Sequence, residues 1–372
     1  MLKVNHKEFG SLIKEYYKKK LALFCFGAFG IGKSFVVRDV AEEIAKSRGR
    51  KFIEWNKIND KDKQKVFEYP EEYFVLLDER LSEYDSSDIK GLPNFKDNKD
   101  TIEWKIPTWA KFLTFENSDG IVFFDEINLA TPLVISSVYK IIYDRVVNES
   151  KINDNWLVMG AGNRDEDRAF THTLPAPVRD RCGEIELITP NIEDWTGWAT
   201  QHFIDSRIIG FSNFKPSVLY KVDFNDNQKF TTARGFERLS KLIKDVKDWD
   251  TFELICCSAI GEGIAREFVA FCKLQDKLKL DEIIKNPEKI EKIEDISVKY
   301  LLVSAIAEKY KDKKITFEKI IDISKVFDKI SNAEFVALLW RLCNSYTEQF
   351  KKDFVNSKEN KLIDRYGKFL IR

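Results

Sequence analysis

Residues 27–34 read GAFGIGKS, which places three glycines, a lysine and a serine at the spacing GxxxxGK[ST]. An apolar run at 21–26 precedes this loop, and an amphipathic helical pattern at 35–44 follows it. In that context glycines let consecutive backbone N–H groups surround phosphate oxygens at a helix N-terminus. We expect Lys33 to reach the β- and γ-phosphates of a nucleoside triphosphate and Ser34 to complete a Mg²⁺ shell. The predicted triphosphate-binding residues are Gly27, Ala28, Phe29, Gly30, Ile31, Gly32, Lys33 and Ser34.

Two carboxylates follow a second apolar run, in the segment GIVFFDE at 120–126. A parallel strand delivers its last residues to the carboxyl edge of the sheet, where a phosphate loop also opens. Asp125 is therefore expected to hold Mg²⁺ and its water shell. Glu126 is expected to polarise the water that attacks the γ-phosphate. These residues predict an enzyme, a Mg²⁺-dependent ATPase that uses ATP and Mg²⁺.

An amide and several arginines extend this constellation. Asn163 ends another apolar run and could orient the same water, although an asparagine there also suits the start of a turn. Arg179 and Arg181 suit the γ-phosphate of a neighbouring subunit, where a guanidinium stabilises transition-state charge. The alternative for these two is a surface salt-bridge cluster with Asp180.

The last candidate arginine, Arg234, lies at the start of a helix predicted to begin near residue 231. Thr231 or Thr232 is suited to cap that helix. Arg234 could then close on the nucleotide, or it could be a solvated arginine of the first turn.

The elements that must position these residues fall into two classes. Short apolar runs at 21–26, 51–55, 73–77, 121–124, 156–159 and 184–188 alternate with helical patterns, which is typical of an α/β fold. Beyond residue 190 the chain is helical in pattern, at 191–205, 231–246, 252–274 and onwards. We predict an α/β nucleotide-binding core at 1–190 with an irregular insertion at about 83–111. A helical lid at 191–280 and a helical C-terminal extension at 281–372 complete the predicted organisation.

The composition of the chain argues against several classes of protein and of site. The chain has 372 residues, 44% hydrophobic content and 61 basic against 61 acidic side chains, so no global field attracts nucleic acid or an anionic membrane. Its six cysteines and three histidines show no spacing typical of a metal site or a disulfide framework. No apolar run approaches the roughly 20 residues of a membrane span, and the N-terminus has no signal-like segment. We therefore expect a cytoplasmic protein.

Taken in order, these motifs resemble the AAA+ ATPases. The loop GAFGIGKS resembles Walker A and IVFFDE resembles Walker B. By the same resemblance, Asn163 is similar to sensor 1, Arg181 to the arginine finger that acts in trans, and Arg234 to sensor 2. Longer strings resemble the MoxR-type branch and together cover nearly the whole chain; they lie at 88–93, 124–132, 142–146, 162–169, 193–195, 260–268 and 333–339.

The resemblance implies an AAA+ P-loop core with a parallel sheet in 5-1-4-3-2 order, followed by an all-α lid and extension. It implies a homo-oligomer, usually a hexameric ring, whose pore is faced by the insertion and by a hairpin at 145–156. Phe95, Trp104 or Trp109 could then contact a client, or could serve local packing. The implied function is chaperone-like remodelling or maturation of a protein partner, with von Willebrand factor A-like or metallopeptidase-like partners.

A second function stays open at this point. The string Arg179-Asp-Arg-Cys182 is also similar to the finger of clamp loaders, and a basic N-terminal helix precedes the core. Both features suit a nucleic-acid-associated NTPase of the clamp-loader or restriction type. The balanced charge and the lack of a recognisable DNA-binding module disfavour it.

Overall fold

The computed structural model describes residues 1–94, 103–164, 179–221, 231–357 and 360–367. The chain divides into two compact units, Met1–Thr189 and Pro190–Arg372. The further division of the helical half near residue 280 stays a prediction.

The first unit alternates strands and helices. Its strands are β1 (Leu2–Val4), β2 (Leu23–Phe26), β3 (Lys51–Glu54), β4 (Tyr73–Arg80), β5 (Leu92–Asn94), β6 (Glu103–Lys105), β7 (Gly120–Asp125), β8 (Val146–Val147), β9 (Ser150–Lys151), β10 (Trp156–Gly162) and β11 (Gly183–Leu187). Its helices are α1 (His6–Lys19), α2 (Lys33–Ser47), α3 (Asp60–Glu68), α4 (Ser86–Lys90), α5 (Thr108–Leu113) and α6 (Pro132–Tyr143).

Seven of these strands form one parallel sheet in the order β1-β11-β2-β10-β7-β4-β3. The inner five, β11-β2-β10-β7-β4, have the predicted 5-1-4-3-2 order. The predicted fold class, a parallel α/β sheet followed by a helical region, is therefore confirmed.

An additional strand lies at each edge. The strand β1 was not expected, because the N-terminal residues have a helical pattern. It forms because Val4 is buried and the segment pairs with β11.

The central strands are apolar on both faces, as strands covered by helices on both sides must be. Residues Ile121 to Phe124 of β7 and Trp156 to Met159 of β10 are all at most 1% exposed. Helix α2 covers part of the sheet through Val37, Val40 and Ala41, which are spaced for one helical face. This burial holds the ends of β2, β7 and β10 in fixed positions.

A buried carboxylate anchors the amino edge of the sheet. Asp119, directly before β7, is fully buried. It accepts a hydrogen bond from the Tyr17 hydroxyl at 2.7 Å, and it lies 2.8 Å from Arg48 Nε and 3.4 Å from Arg50 Nε. Its three partners come from α1 and from the connection between α2 and β3. This cluster therefore ties both helices to the central strand.

The predicted irregular insertion contains regular structure. Helix α4, the antiparallel hairpin β5–β6 and helix α5 lie within or across it. Trp109 is only 8% exposed and packs edge-to-face on Phe124, with ring centroids 6.2 Å apart. It is a core residue, so of the two roles considered for Trp109 the structure supports local packing. Trp104 is 43% exposed, and Phe95 lies outside the described residues.

The hairpin expected before Asn163 is present as β8–β9. Asn148, at its turn, has a φ of +51° and donates a side-chain hydrogen bond to the carbonyl of Lys90. This contact fastens the hairpin to the end of α4.

The second unit is helical. Its helices are α7 (Ile192–Gln201), α8 (Ser206–Phe214), α9 (Ala233–Leu242), α10 (Trp249–Ile260), α11 (Glu262–Lys277), α12 (Leu280–Lys285), α13 (Ile296–Lys311), α14 (Phe317–Lys329), α15 (Ala333–Tyr346), α16 (Glu348–Val355) and α17 (Asn360–Tyr366). The helix expected at 252–274 is two helices, because Gly261 interrupts it with a φ of +82°. A short ladder, β12 (Tyr220–Lys221) with β13 (Thr231–Thr232), also lies in this unit.

Within the described ranges, none of the helices has both the length and the apolar content that crossing a bilayer requires. All six cysteines are free thiols. Burial raises the pKa of Cys25 to about 12, so this thiol stays protonated and is a poor nucleophile.

Candidate functional site

The loop between β2 and α2 has a tightly determined backbone. The Gly27 N–H donates to the Gly162 carbonyl at 3.2 Å. A Cβ on Gly27 would lie 2.8 Å from the Leu187 carbonyl oxygen, so only glycine fits at this position. Gly32 has a φ of +101° and leads directly into α2. His6 donates from Nε2 to the Ile31 carbonyl at 2.6 Å, which fastens the loop to the start of α1.

Lys33 is the first residue of α2 and is only 8% exposed. Its ammonium donates to the carbonyls of Gly27 at 2.6 Å and Ala28 at 3.0 Å. It also donates to Asn163 Oδ1 at 3.3 Å, across 130 residues of sequence. The cation is thus held inside the curve of the loop, beside the end of β10.

Ser34 and Asp125 meet although they lie 91 residues apart. The Ser34 hydroxyl donates to Asp125 Oδ2 at 2.9 Å, and Asp125 Oδ1 accepts from the Glu126 N–H at 2.9 Å. Oxygen ligands from a hydroxyl and a carboxylate suit Mg²⁺, which binds few protein groups and keeps water or phosphate oxygens. Among the described residues there is no group of three or more His, Cys, Asp or Glu side chains that could hold a metal ion alone. The donor set therefore fits Mg²⁺ that arrives with a phosphate ligand.

Glu126 has a left-handed backbone, with a φ of +56°. Such a conformation is uncommon for a residue other than glycine and costs of order 1 kcal/mol or more. Its carboxylate accepts a hydrogen bond from the Ser82 hydroxyl at 2.5 Å. Ser82 lies in a 3-10 turn, Leu81–Glu83, directly after β4. The turn thus brings a donor to Glu126 that nothing in the local sequence indicated.

Asn128 holds the backbone of Asn163. Its side-chain Oδ1 accepts from the Asn163 N–H at 3.1 Å, and its Nδ2 donates to the Asn163 carbonyl at 2.8 Å. Asn128 is only 2% exposed. Sequence reasoning did not select it, and its one signal is that it follows Glu126 by two residues.

Two further acids lie at the end of β4, next to β7. Burial, with a smaller contribution from the charge of Asp125, raises the pKa of Asp78 to about 6. Burial also raises the pKa of Glu79 to about 7, and the Tyr84 hydroxyl donates to this carboxyl group. These carboxyls were not predicted, since an acid inside a strand gives no spacing signal.

The two arginines near β11 lie away from this cluster. They precede β11, so they lie at the amino edge of the sheet, whereas Lys33 follows β2 at the carboxyl edge. Arg179 forms a paired hydrogen bond with Glu184, and Arg181 lies over the ring of Tyr143. The structure therefore does not bring Arg181 to the phosphate loop of its own chain.

Arg234 belongs to the second unit, where it is exposed in the first turn of α9. The cap of that helix is Thr232, which accepts from the Gly235 N–H at 3.2 Å. Thr231 instead donates to the Ile260 carbonyl at 2.8 Å. The role of Arg234 towards the nucleotide stays a prediction.

No protein-family model and no curated protein matches the chain. Among solved structures, it is similar to the Thermotoga maritima RuvB Holliday junction branch migration motor, with 16% identity, a TM-score of 0.36 and coverage of 77% of this chain and 76% of that chain. C. elegans PCH-2 has 11% identity, a TM-score of 0.32 and coverage of 73% and 70%. Aeropyrum pernix ORC2 has 14% identity, a TM-score of 0.36 and coverage of 75% and 69%. At such low TM-scores these similarities carry no argument, and the α/β architecture rests on the strand order and registers described above.

Proposed function

We propose that this chain is an AAA+-type, Mg²⁺-dependent ATPase. The contact between Ser34 and Asp125, beside the ammonium of Lys33, is the observation that carries the proposal. It joins the two predicted motifs at one edge of the sheet. A glycine loop by itself supports only binding, whereas a Mg²⁺ ligand pair followed by a second carboxylate supports hydrolysis.

The proposed binding step uses the loop and the start of α2. The N–H groups at this helix N-terminus favour anions. The ammonium of Lys33 exchanges neutral carbonyl acceptors for charged phosphate oxygens, which are stronger partners. Mg²⁺, held by Ser34 and Asp125, would neutralise charge on the phosphates.

The proposed hydrolytic step uses Glu126 and Asn163. Glu126 acts as the general base that accepts a proton from the attacking water. Asn163 orients that water through its side-chain amide, and Asn128 keeps the backbone of Asn163 in place. The Ser82 hydroxyl donates to the Glu126 carboxylate and so fixes its orientation.

We propose that hydrolysis drives remodelling of a protein partner by a cytoplasmic homo-oligomer, in the manner of MoxR-type rings. The position of Arg181 at the amino edge supports a site completed by another copy. Leu92 and Trp104 on the β5–β6 hairpin are 64% and 43% exposed, which supports contact with a client there. A hexameric ring and a von Willebrand factor A-like partner are part of this proposal.

Turnover of purified protein with ATP and Mg²⁺ tests the proposal. Glu126→Gln is expected to lower kcat by on the order of 10²- to 10⁴-fold while nucleotide binding is retained, because only proton transfer is lost. Lys33→Ala is expected to weaken binding itself. The control is Glu116→Gln, at an exposed glutamate outside the proposed site, with unchanged turnover.

Equal turnover of Glu126→Gln and wild type would contradict the proposed mechanism. The same assay with added DNA or RNA tests the nucleic-acid alternative. Strong stimulation by nucleic acid would favour that function over protein remodelling.

A further inference from the structure

His6 contacts the phosphate loop from a helix that belongs to neither nucleotide motif. It is the first residue of α1, and its Nε2 lies 2.6 Å from the Ile31 carbonyl oxygen. A carbonyl oxygen can only accept, so Nε2 carries the hydrogen. The imidazole also lies against Gly32, where an added Cβ would be 3.5 Å from Nε2. The side chain of His6 therefore holds one peptide of the loop, the one that joins Ile31 to Gly32.

The hydrogen bond from His6 determines which way this peptide faces. A trans peptide is planar, and its C=O and N–H groups point in opposite directions. Because the Ile31 carbonyl faces His6, the Gly32 N–H faces away from it. Gly32 directly precedes α2, where N–H groups lie at the positive end of the helix dipole. Among the described residues this N–H donates to no backbone carbonyl, so it is available to a phosphate oxygen.

Without such a contact the peptide could turn over. That rotation changes only ψ of Ile31 and φ of Gly32. Gly32 has a φ of +101°, and glycine accepts either sign of φ at little cost. The side chain of Ile31 is buried, which fixes its own position but not the peptide that follows. A reversed peptide would point a carbonyl oxygen where the N–H now points, and that oxygen would repel a phosphate.

Helix α1 gives His6 a fixed base. Its N-terminus is capped reciprocally, since the Glu8 N–H donates to Asn5 Oδ1 at 2.9 Å and the Asn5 N–H donates to Glu8 Oε2 at 2.8 Å. Gly10 of α1 lies close to α2, because a Cβ there would be 3.3 Å from Val40 Cγ2. The helix that carries His6 thus packs on the helix that follows the loop, and His6 has a fixed position relative to the start of α2.

We propose that His6 is a positioning residue that holds the Ile31–Gly32 peptide with the Gly32 N–H towards the phosphates of the nucleotide. The inference rests on the proposed ATPase function. It assigns to the N-terminal helix a part in phosphate binding, exerted through the backbone of the loop and without a contact between His6 and the nucleotide.

Nucleotide binding by His6→Ala tests this assignment. The dissociation constant of fluorescent ADP is expected to rise about 10-fold, the upper range for the loss of one hydrogen bond. In turnover, KM for ATP should rise while kcat changes little, because a saturating nucleotide selects the N–H orientation by itself. The matched control is Lys7→Ala, at the exposed neighbouring residue of α1, which should bind ADP as wild type does.

Two further measurements identify the phosphates and the side-chain donor. Adenosine, which has no phosphate, should displace the fluorescent probe with the same inhibition constant in wild type and His6→Ala. His6→Gln keeps a side-chain N–H donor and should bind ADP within about threefold of wild type.

A variant that loosens α1 separates positioning from general stability. Phe9 is a fully buried residue of α1, and Phe9→Leu should lower the urea midpoint of unfolding but leave ADP affinity unchanged. Wild-type ADP affinity in His6→Ala, an equal loss of adenosine binding, or a loss of ADP affinity in Phe9→Leu as large as in His6→Ala would overturn the inference. His6→Gln that binds ADP as weakly as His6→Ala would also count against it. Failure of the wild-type chain to bind ADP would instead overturn the proposed nucleotide site.

Discussion

Asn163, Glu126 and Arg181 each contact a side chain that the sequence did not indicate. Asn128 holds the backbone of Asn163, Ser82 donates to Glu126, and the ring of Tyr143 lies under Arg181. A group that orients water or charge must be held within a fraction of an ångström, because small displacements are costly in rate. These supporting residues are therefore sensitive positions, although they are not proposed to touch the reacting atoms.

Asn128→Ala tests this dependence. The substitution leaves the N–H and the carbonyl of Asn163 without their partner, which costs about 1–3 kcal/mol of stability when such groups are buried. We expect kcat to fall by roughly 10- to 100-fold, because the amide of Asn163 is misplaced. Nucleotide affinity should change little, since the loop itself is intact. Steady-state turnover and titration with fluorescent ADP measure the two quantities.

The matched control is Asn356→Ala, an exposed asparagine of the helical unit, which should behave as wild type. Unchanged kcat in Asn128→Ala would show that Asn163 does not need this support.

At the scale of elements, the end of β4 and the turn that follows it are fastened to each other by their own side chains. Leu81 is fully buried, and the Tyr84 hydroxyl donates back to Glu79, so the turn is closed on itself. The closed turn places the Ser82 hydroxyl beside the Glu126 carboxylate. The element thus connects a buried acid of the sheet with the proposed general base.

Glu79→Gln tests how much ionisation of the buried Glu79 carboxyl group lowers the free energy of unfolding. The pKa of Glu79 is raised by burial from 4.5 to about 7, so the folded chain holds this proton more tightly than the unfolded chain. Its contribution to stability is therefore complete below about pH 4.5 and is lost as the pH rises through about 7. Glutamine keeps an acceptor for Tyr84 and does not titrate. Relative to Glu79→Gln, wild type should lose about 3 kcal/mol of unfolding free energy across this window.

Urea unfolding at a series of pH values, followed by tryptophan fluorescence, measures the difference. Glu116→Gln, at an exposed glutamate, should follow the wild-type pH dependence. A Glu79→Gln profile parallel to wild type would contradict the raised pKa.

At the scale of the whole molecule, the first unit carries its proposed phosphate site at one edge of the sheet and Arg181 at the other. Under the proposal that a second copy completes the site, a chain that offers an arginine at one edge of the sheet and accepts one at the other would form head-to-tail contacts. Such contacts close into rings when the rotation between copies permits it. In this proposal the activity belongs to an assembly and not to the single chain.

Turnover per chain should depend on protein concentration. We expect it to rise over about a hundredfold range of concentration and then level off, because a site is complete only when a second copy is bound. Sedimentation velocity at the same concentrations should show assembly over the same range. Arg181→Ala should assemble as wild type does but stay inactive. Turnover per chain that is constant down to concentrations where the protein is monomeric would contradict a shared site.

The sequence by itself predicts the candidate site where the residues concerned are consecutive. The phosphate loop occupies eight adjacent positions, and the acid pair directly follows an apolar run. Two-sided apolar strands also predict a covered parallel sheet, because polar groups are costly between helical layers. The sheet order came from the family resemblance, and the strand registers agree with it. The added edge strand β1 and the break at Gly261 were not predicted, since three residues and one glycine are weak local signals.

Only the tertiary structure decided which distant residues meet. Asn128 and Asn163 are 35 residues apart, and Ser82 and Glu126 are 44 apart, so spacing along the chain carries no signal of either contact. The same holds for the contacts of the two arginines, since the fold places Arg179 on Glu184 and Arg181 on the ring of Tyr143. Residue types in a row determine what chemistry the chain can do. Which side chain is paired, buried or free to act depends on packing between elements, which local sequence does not encode.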